Sequence, residues 1–251
     1  MRLHWHRRDL RLTDNPGLAA ASPTSPVVPI FVFDPAILEH AAPPRMRFLL
    51  DAIDALAEGY RSRGSDLVIA HGDPSAVIPD LAAEYGATSV SWGADYSGLS
   101  QERDRAVRDA LETDRVAVEE HVDAVLHEPG EITTNAGDHY SVYTYFWKKW
   151  QDREKTSLFP EPAAEALADV TGDPVPSMEA LGFEEPTAEI PPAGTSPARD
   201  RLDTFLESNV HRYEDTRDDP AADATSRLSP HLTFGTIGIR ELYARTAEAL
   251  E

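Results

Sequence analysis

The sequence predicts an α/β fold: a parallel sheet covered by helices on both faces, then a connector, then the opening helices of an all-helical unit. Three observations predict it. Short apolar runs alternate with helically spaced segments through the first half. From about Pro129 to Pro197 that rhythm gives way to Pro, Ala and acidic residues. Helical spacing then resumes at Arg199.

Leu3–His6 reads as the opening strand, and the unbroken apolar run VVPIFVF (Val27–Phe33) as a buried second one. Arg45–Arg63 places Met46, Leu49, Leu50, Ile53, Leu56 and Tyr60 on one helical stripe. Asp66–Ala70 then reads as strand, Ser75–Tyr85 as helix, Thr88–Trp92 as strand, Gln101–Leu111 as helix and Val116–His121 as strand. Parallel sheets bind ligands at the carboxyl ends of their strands, near a switch in strand order. The loops after His6, Phe33 and Trp92 are therefore the expected pocket walls. With no GxGxxG or Walker A sequence, ordinary dinucleotide or P-loop binding by this half is not expected.

Val142–Trp150 is aromatic-rich and helical in pattern, whereas Phe159–Pro197 has no sustained period and reads as a long connector. Arg199–Val210 recovers a stripe through Leu202, Phe205 and Leu206, and Leu232–Leu250 supplies a further helix or two. The expected boundaries are an α/β unit over 1–128, a connector over 129–197 and a helical unit over 198–251, cut short.

The 251 residues carry 44 Asp and Glu against 23 Lys and Arg, a net charge of −21. At moderate salt such an excess disfavours nucleic acid. It also suits a high-salt cytoplasm, where screening tolerates the repulsion and carboxylates hold water. The halophilic reading is preferred, so a DNA partner would need a local basic groove. Without cysteine there are no disulfides and no thiolate chemistry. No run approaches membrane-spanning length and no signal-peptide core opens the chain, so a monomeric cytoplasmic protein is expected.

The densest candidate site is Tyr213–Arg240, YEDTRDDPAADATSRLSPHLTFGTIGIR. Its hydroxyl-rich turn, Thr225, Ser226, Arg227, Leu228 and Ser229, precedes a helix expected to be capped by Ser229 and to start at Pro230. Free N–H groups and the dipole at such a start favour phosphate. A capped helix after a polar loop would look the same.

Together with LHWHRRDLRLTDNPGLAAA at the N-terminus, this segment resembles the photolyase/cryptochrome family. The matching residues are Trp5, Arg8, Asp9, Leu10, Arg11, Asp14, Asn15 and Leu18 in the first motif. In the second they are Tyr213, Arg217, Thr225, Ser226, Leu228, Ser229, Pro230, Leu232, Gly235 and Ile237. The resemblance implies a Rossmann-like α/β domain followed by the start of a helical FAD-binding domain, in a family that extends beyond Glu251. It implies that Thr225–Ser229 hold the pyrophosphate and ribityl region of FAD, that Tyr213 packs on the flavin, and that Arg217 approaches the DNA backbone. The implied activity is light-driven repair of cyclobutane pyrimidine dimers in UV-damaged DNA, with a signalling cryptochrome as the alternative. A third reading keeps only the α/β unit, as a chromophore-binding module. By itself the chain is expected to bind FAD weakly or not at all.

The family commonly adds an antenna chromophore. Ser100 stands where the folate-binding type carries Glu, so a deazaflavin is expected before a folate. Asp34, Asp95 and Glu102 read equally as solvated carboxylates. Arg7, Arg8 and Arg11 with Asp9, Asp14 and Asn15 read as a network fixing a loop. His4 and His6 read as partly buried strand histidines, His231 as a first-turn residue, and Trp92, Trp147 and Trp150 as core aromatics.

Overall fold

The computed structural model describes residues 1–21 and 24–251. Five parallel strands, β1 (Arg2–His6), β2 (Val27–Phe33), β3 (Val68–His71), β4 (Ser89–Gly93) and β5 (Ala117–His121), form one sheet in the order β3-β2-β1-β4-β5. The chain builds outward from β1 to β3, then returns to the other side of β1. The switch in strand order therefore lies between β1 and β4.

Helices α1 (Pro16–Ala19), α2 (Pro35–Leu38), α3 (Pro43–Arg61), α4 (Pro74–Glu84) and α5 (Gly98–Thr113) connect the strands. The period-two alternation of β2 explains the two-faced core. Val27, Phe31 and Phe33 join the α3 stripe on one side, while Val28, Ile30 and Val32 pack with Ile78, Val107 and Leu111 on the other. Pro29 lies opposite His4, one residue before the β3 ladder begins at Ile30–Val68, so it interrupts no bond on that side.

The expected 159–197 connector is a strap fastened to the sheet unit. The Ala168 amide donates to the Val27 carbonyl (2.8 Å), and Ser65 Oγ donates to the Ala168 carbonyl (2.7 Å). Leu167, Ala168 and Met178 are buried. These anchors insert into surfaces the sheet unit already presents, so the segment needs no period of its own.

Helix α6 (Tyr143–Asp152) precedes it, and α7 (Thr195–Ser208), α8 (Tyr213–Thr216), α9 (Ser229–Phe234) and α10 (Ile239–Ala249) follow. Ala198, Leu202, Leu228 and Ile237 form a small separate core. The stretch Leu232–Leu250, expected to hold a further helix or two, holds two helices, because Gly235 adopts a left-handed conformation (φ +66) and ends α9.

Candidate functional site

Two concavities hold the polar residues singled out above. The first lies where β1, β2 and β4 end, as the topology requires. It encloses about 520 Å³ between Trp5–Arg8, Phe31–Asp34 and Asp95–Ser100. Thr233 and Phe234 of α9 complete its wall from the far end of the chain, a contribution invisible to local sequence reading.

Two guanidinium groups approach Trp5 in this pocket: Arg7 at 4.7 Å and Arg103 at 5.0 Å from the ring centroid. Asp104 pairs with both cations. Burial, reinforced by Arg7, pushes the Arg103 guanidinium down from its ordinary value. Asp34 caps α2 through the Ala36 amide (2.9 Å). Burial works against ionisation of Asp95, but the Ser97 amide (3.0 Å), the Ser100 hydroxyl and the Arg8 charge hold its carboxyl below the usual range. Among these residues Asp95 and Ser100 line the pocket, while Glu102 is exposed on α5.

Behind the pocket, the first motif forms a closed polar network. His4 and His6 are fully buried, not partly. Burial and the neighbouring His6 pull His4 down to about 4, so it is neutral at pH 7; its Nε2–H donates to Asp9 Oδ2 (2.9 Å) and its Nδ1 accepts from Ser91 Oγ (2.9 Å). Burial, then Asp9, pushes the Tyr60 phenol well above its ordinary value, so its hydroxyl donates to His6 Nε2 (2.7 Å). Although burial opposes it, His6 and His4 hold Asp9 well below the carboxylate range. Ligand-type atoms of His4, His6 and Asp9 lie within 4.8 Å of one another. The Asn15 amide nitrogen sits beside two of these atoms, 2.9 Å from Asp9 Oδ2 and 3.2 Å from His4 Nε2. An NH₂ group repels a cation, so the set is a hydrogen-bond network.

The same motif joins the C-terminal segment. Arg240 donates to Asp14 Oδ1 (2.7 Å) and Asp123 Oδ1 (2.8 Å), and Arg11 reaches Asp123 and the Gly235 carbonyl (3.1 Å). All four side chains are nearly inaccessible. The Leu10 amide donates to the Phe234 carbonyl (3.1 Å). A Cβ at Gly235 would collide with the Arg8 carbonyl, and one at Gly238 with Asp14. The two distant motifs are thus halves of one interface.

The second concavity, about 1000 Å³, runs beside the hydroxyl-rich turn. Thr225, Arg227 and Ser229 line it, together with Arg201, Asp200 and Thr204 of α7 and the strap prolines Pro191, Pro192 and Pro197. Arg201, missed in the sequence, donates to the Ser226 carbonyl (2.9 Å) and the Thr225 carbonyl (3.3 Å), bracing the turn. Arg227 takes a left-handed φ of +51 and pairs with Asp223 at 2.6 Å. Leu228 is buried in the small core and serves as the turn's anchor.

Several expectations change here. Ser229 is the first residue of α9 and makes no cap hydrogen bond; Leu228 precedes the helix. With six residues α9 carries a weak dipole, so the turn's donors outweigh the helix start. His231 is buried, bonds the Thr236 hydroxyl through Nδ1 (2.8 Å), and is pushed down by burial. Tyr213 packs edge-on against Phe205 (5.8 Å) and Arg217 stands 3.8 Å from Asp218; neither lines the cleft that Thr225, Arg227 and Ser229 share. Trp92 is core, but Trp147 is 37% exposed and Trp150 half-buried.

A profile of the DNA photolyase family matches residues 2–165. The chain belongs to that family. A deoxyribodipyrimidine photo-lyase of Halobacterium salinarum is 56% identical across 99% of this chain and 55% of its own length. Among solved structures, a class III photolyase from Agrobacterium tumefaciens superposes with a TM-score of 0.84 at 29% identity, covering 97% of this chain and 52% of that one. An archaeal photolyase from Sulfolobus tokodaii, described as holding two FAD molecules with a novel light-harvesting cofactor implied, gives 0.79 at 26% identity, covering 97% and 54%. The chain spans about half the length of the photolyases it matches. The halobacterial likeness agrees with the acidic, halophilic composition. No described helix is long and apolar enough to cross a membrane.

Proposed function

We propose that the chain is the N-terminal part of a deoxyribodipyrimidine photo-lyase that repairs cyclobutane pyrimidine dimers in UV-damaged DNA. The observation that carries this reading is the 56% identity to the Halobacterium enzyme across nearly the whole chain. FAD, when bound, supplies the photo-excited electron donor; the protein supplies grip, orientation and exclusion of water.

The turn fits the diphosphate part of such a group. Thr225 and Ser229 present exposed side chains to the cleft, and Ser229 has no cap bond to break. Arg227 is exposed and, among the described residues, tied only to an equally exposed Asp223, so its guanidinium can turn to an anion at little cost. Ser226 and Leu228 would set the turn: one gives its carbonyl to Arg201, the other is buried below. In this reading Tyr213 packs on the flavin and Arg217 contacts the DNA backbone from the neighbouring helix. Units 1–128, 129–197 and 198–251 correspond to antenna domain, connector and partial flavin domain.

The strand-end pocket suits a second, planar and anionic chromophore, because two guanidinium groups flank Trp5 at its base. Ser100 on its wall offers a hydroxyl where a folate type would need a carboxylate, which favours a deazaflavin.

A chimaera tests the function: these 251 residues replace the matching portion of the Halobacterium enzyme. The purified chimaera is expected to be yellow and to repair dimer-containing DNA in blue light at high salt. A colourless product indifferent to FAD would sink the proposal, and bound flavin without repair would favour the signalling alternative.

A further inference from the structure

A third concavity lies where α3, the strap and the start of α7 meet. It encloses about 280 Å³ and shares only Pro197 with the turn cleft. Its polar wall is made by Arg11, Thr13, Arg63, Glu161, Thr195 and Arg199.

One part of this wall presents donors without acceptors. Helix α7 runs for 14 residues from Gly194, whose φ of +105 and close approach to Ala55 suit glycine, so no side chain caps it. The Thr195 and Ser196 amides, at the positive end of the helix dipole, make no backbone hydrogen bond among the described residues. Arg199 gives Nε and Nη2 to Glu241 (2.6 and 3.0 Å), and among the described residues its Nη1 is unused. Arg11 is a second, independent mark. It lines the cavity with a side chain only 2% exposed, yet its Nε–H is buried without an acceptor. Such a donor is costly unless a ligand or water meets it.

The other part presents an acceptor. Glu161 of the strap takes hydrogen bonds from Thr13 Oγ1 (2.5 Å) and from the Arg63 guanidinium. The Thr13 bond, then Arg63 and Arg199, hold its carboxyl below the usual range although burial opposes them, so it is ionised at neutral pH. Each of its oxygens accepts one bond and has a lone pair to spare.

Every guanidinium here is balanced by a carboxylate: Arg11 by Asp123, Arg63 by Glu161 and Arg199 by Glu241. The cavity therefore offers directed N–H donors together with one ionised carboxylate, not bare positive charge. Sulfate, chloride and phosphodiesters carry no proton, so Glu161 repels them. A neutral polyol carries protons but leaves the helix end without an anion. A singly protonated phosphate answers both parts of the wall. We propose that this cavity binds hydrogen phosphate, free or as the head of a small monoester. Glu161 accepts from its hydroxyl, while the first amides of α7, Arg11 Nε and Arg199 Nη1 donate to its other oxygens. The need for a proton excludes a nucleic-acid backbone and the diphosphate of FAD, so the site stands apart from the repair reading.

The test is isothermal titration calorimetry of the 251-residue chain at constant high KCl in a phosphate-free buffer near neutral pH. The probes are inorganic phosphate, sulfate, methyl phosphate and dimethyl phosphate. Phosphate is expected to bind about tenfold or more tightly than sulfate or dimethyl phosphate. Methyl phosphate matching phosphate identifies a monoester head, its rejection identifies the free ion, and both outcomes support the site. Glu161→Gln replaces the carboxylate by a carboxamide that can donate, and should bring sulfate within about twofold of phosphate. Thr195→Pro suits the first position of a helix while deleting one amide and one hydroxyl, and should weaken phosphate binding by about tenfold. Thr225→Ala with Ser229→Ala, in the turn cleft, should leave phosphate affinity within about twofold. Thermal melts matching the parent's show that each variant folds, and the preference of the unaltered chain needs no variant. No phosphate binding, equal affinity for sulfate, a preference that survives Glu161→Gln, affinity unmoved by Thr195→Pro, or binding lost in the cleft variant would overturn the proposal.

Discussion

The strand-end pocket and the cleft beside the hydroxyl-rich turn are built on opposite principles. The pocket is walled by β1, β2 and the loop after β4, and closed by α9, and the segment that leaves β1 through its wall runs on into the buried network of His4, Asp9, Arg11, Asp14, Asp123 and Arg240. The cleft is edged by exposed side chains on a turn that one buried leucine and one arginine hold in place. Stability and binding should therefore be coupled behind the first and separable at the second.

The largest expected effect comes from the network. Asp123→Ala removes the carboxylate shared by Arg11 and Arg240, leaving two guanidinium groups buried with reduced compensation. Removing one partner of a buried pair costs about 3–5 kcal/mol. Asp223→Ala breaks an ion pair whose side chains are both 61% exposed, so its expected cost is within about 0.5 kcal/mol. Denaturant melts of both variants at high salt measure the contrast; equal losses would erase it.

A pH titration sharpens the same contrast at somewhat smaller amplitude. His4 is held at about 4 against 6.5 by burial, so between those values the unfolded chain binds the proton and the folded chain does not. Stability is then full above about pH 6.5 and falls as the pH drops towards 4, by about 3 kcal/mol in total. His231 and His121, also lowered by burial, add in the same direction. His4→Gln should flatten the slope across that window, as read from melting free energies at successive pH values. An unchanged slope would mean that burial of His4 does not set the pH dependence.

This division also explains what the sequence could reveal. The strands and α3 to α5 were legible because each buries a repeating face: Val27, Phe31 and Phe33 recur at every second or fourth position, and Met46, Leu49, Ile53 and Leu56 at helical spacing. Ligand-facing loops then followed from topology alone. The strap was illegible because its buried residues, Ala166–Ala168 and Met178, recur at neither strand nor helix spacing. Arg201 and Phe234 were missed because their partners lie far off in the chain. The left-handed stop at Gly235, a glycine after Phe234, decides between the one helix and the two that the spacing over Leu232–Leu250 left open. Trp147 and Trp150 show the remaining limit: aromatic content sets how much surface is worth burying, not which neighbour buries it.

The smallest expected effect on stability belongs to the turn itself. Thr225 and Ser229 are exposed, and neither side chain makes a hydrogen bond among the described residues. Thr225→Ala with Ser229→Ala should thus change the folding free energy of this chain by no more than about 0.5 kcal/mol. In the Halobacterium chimaera, by contrast, deleting two donors to a diphosphate should weaken retention of FAD by about tenfold or more, measured as flavin absorbance per protein after dialysis. Lost stability with unchanged flavin would make the turn a structural element. Lost flavin with unchanged stability is the separation that an exposed, externally braced loop allows and the buried network behind the strand-end pocket does not.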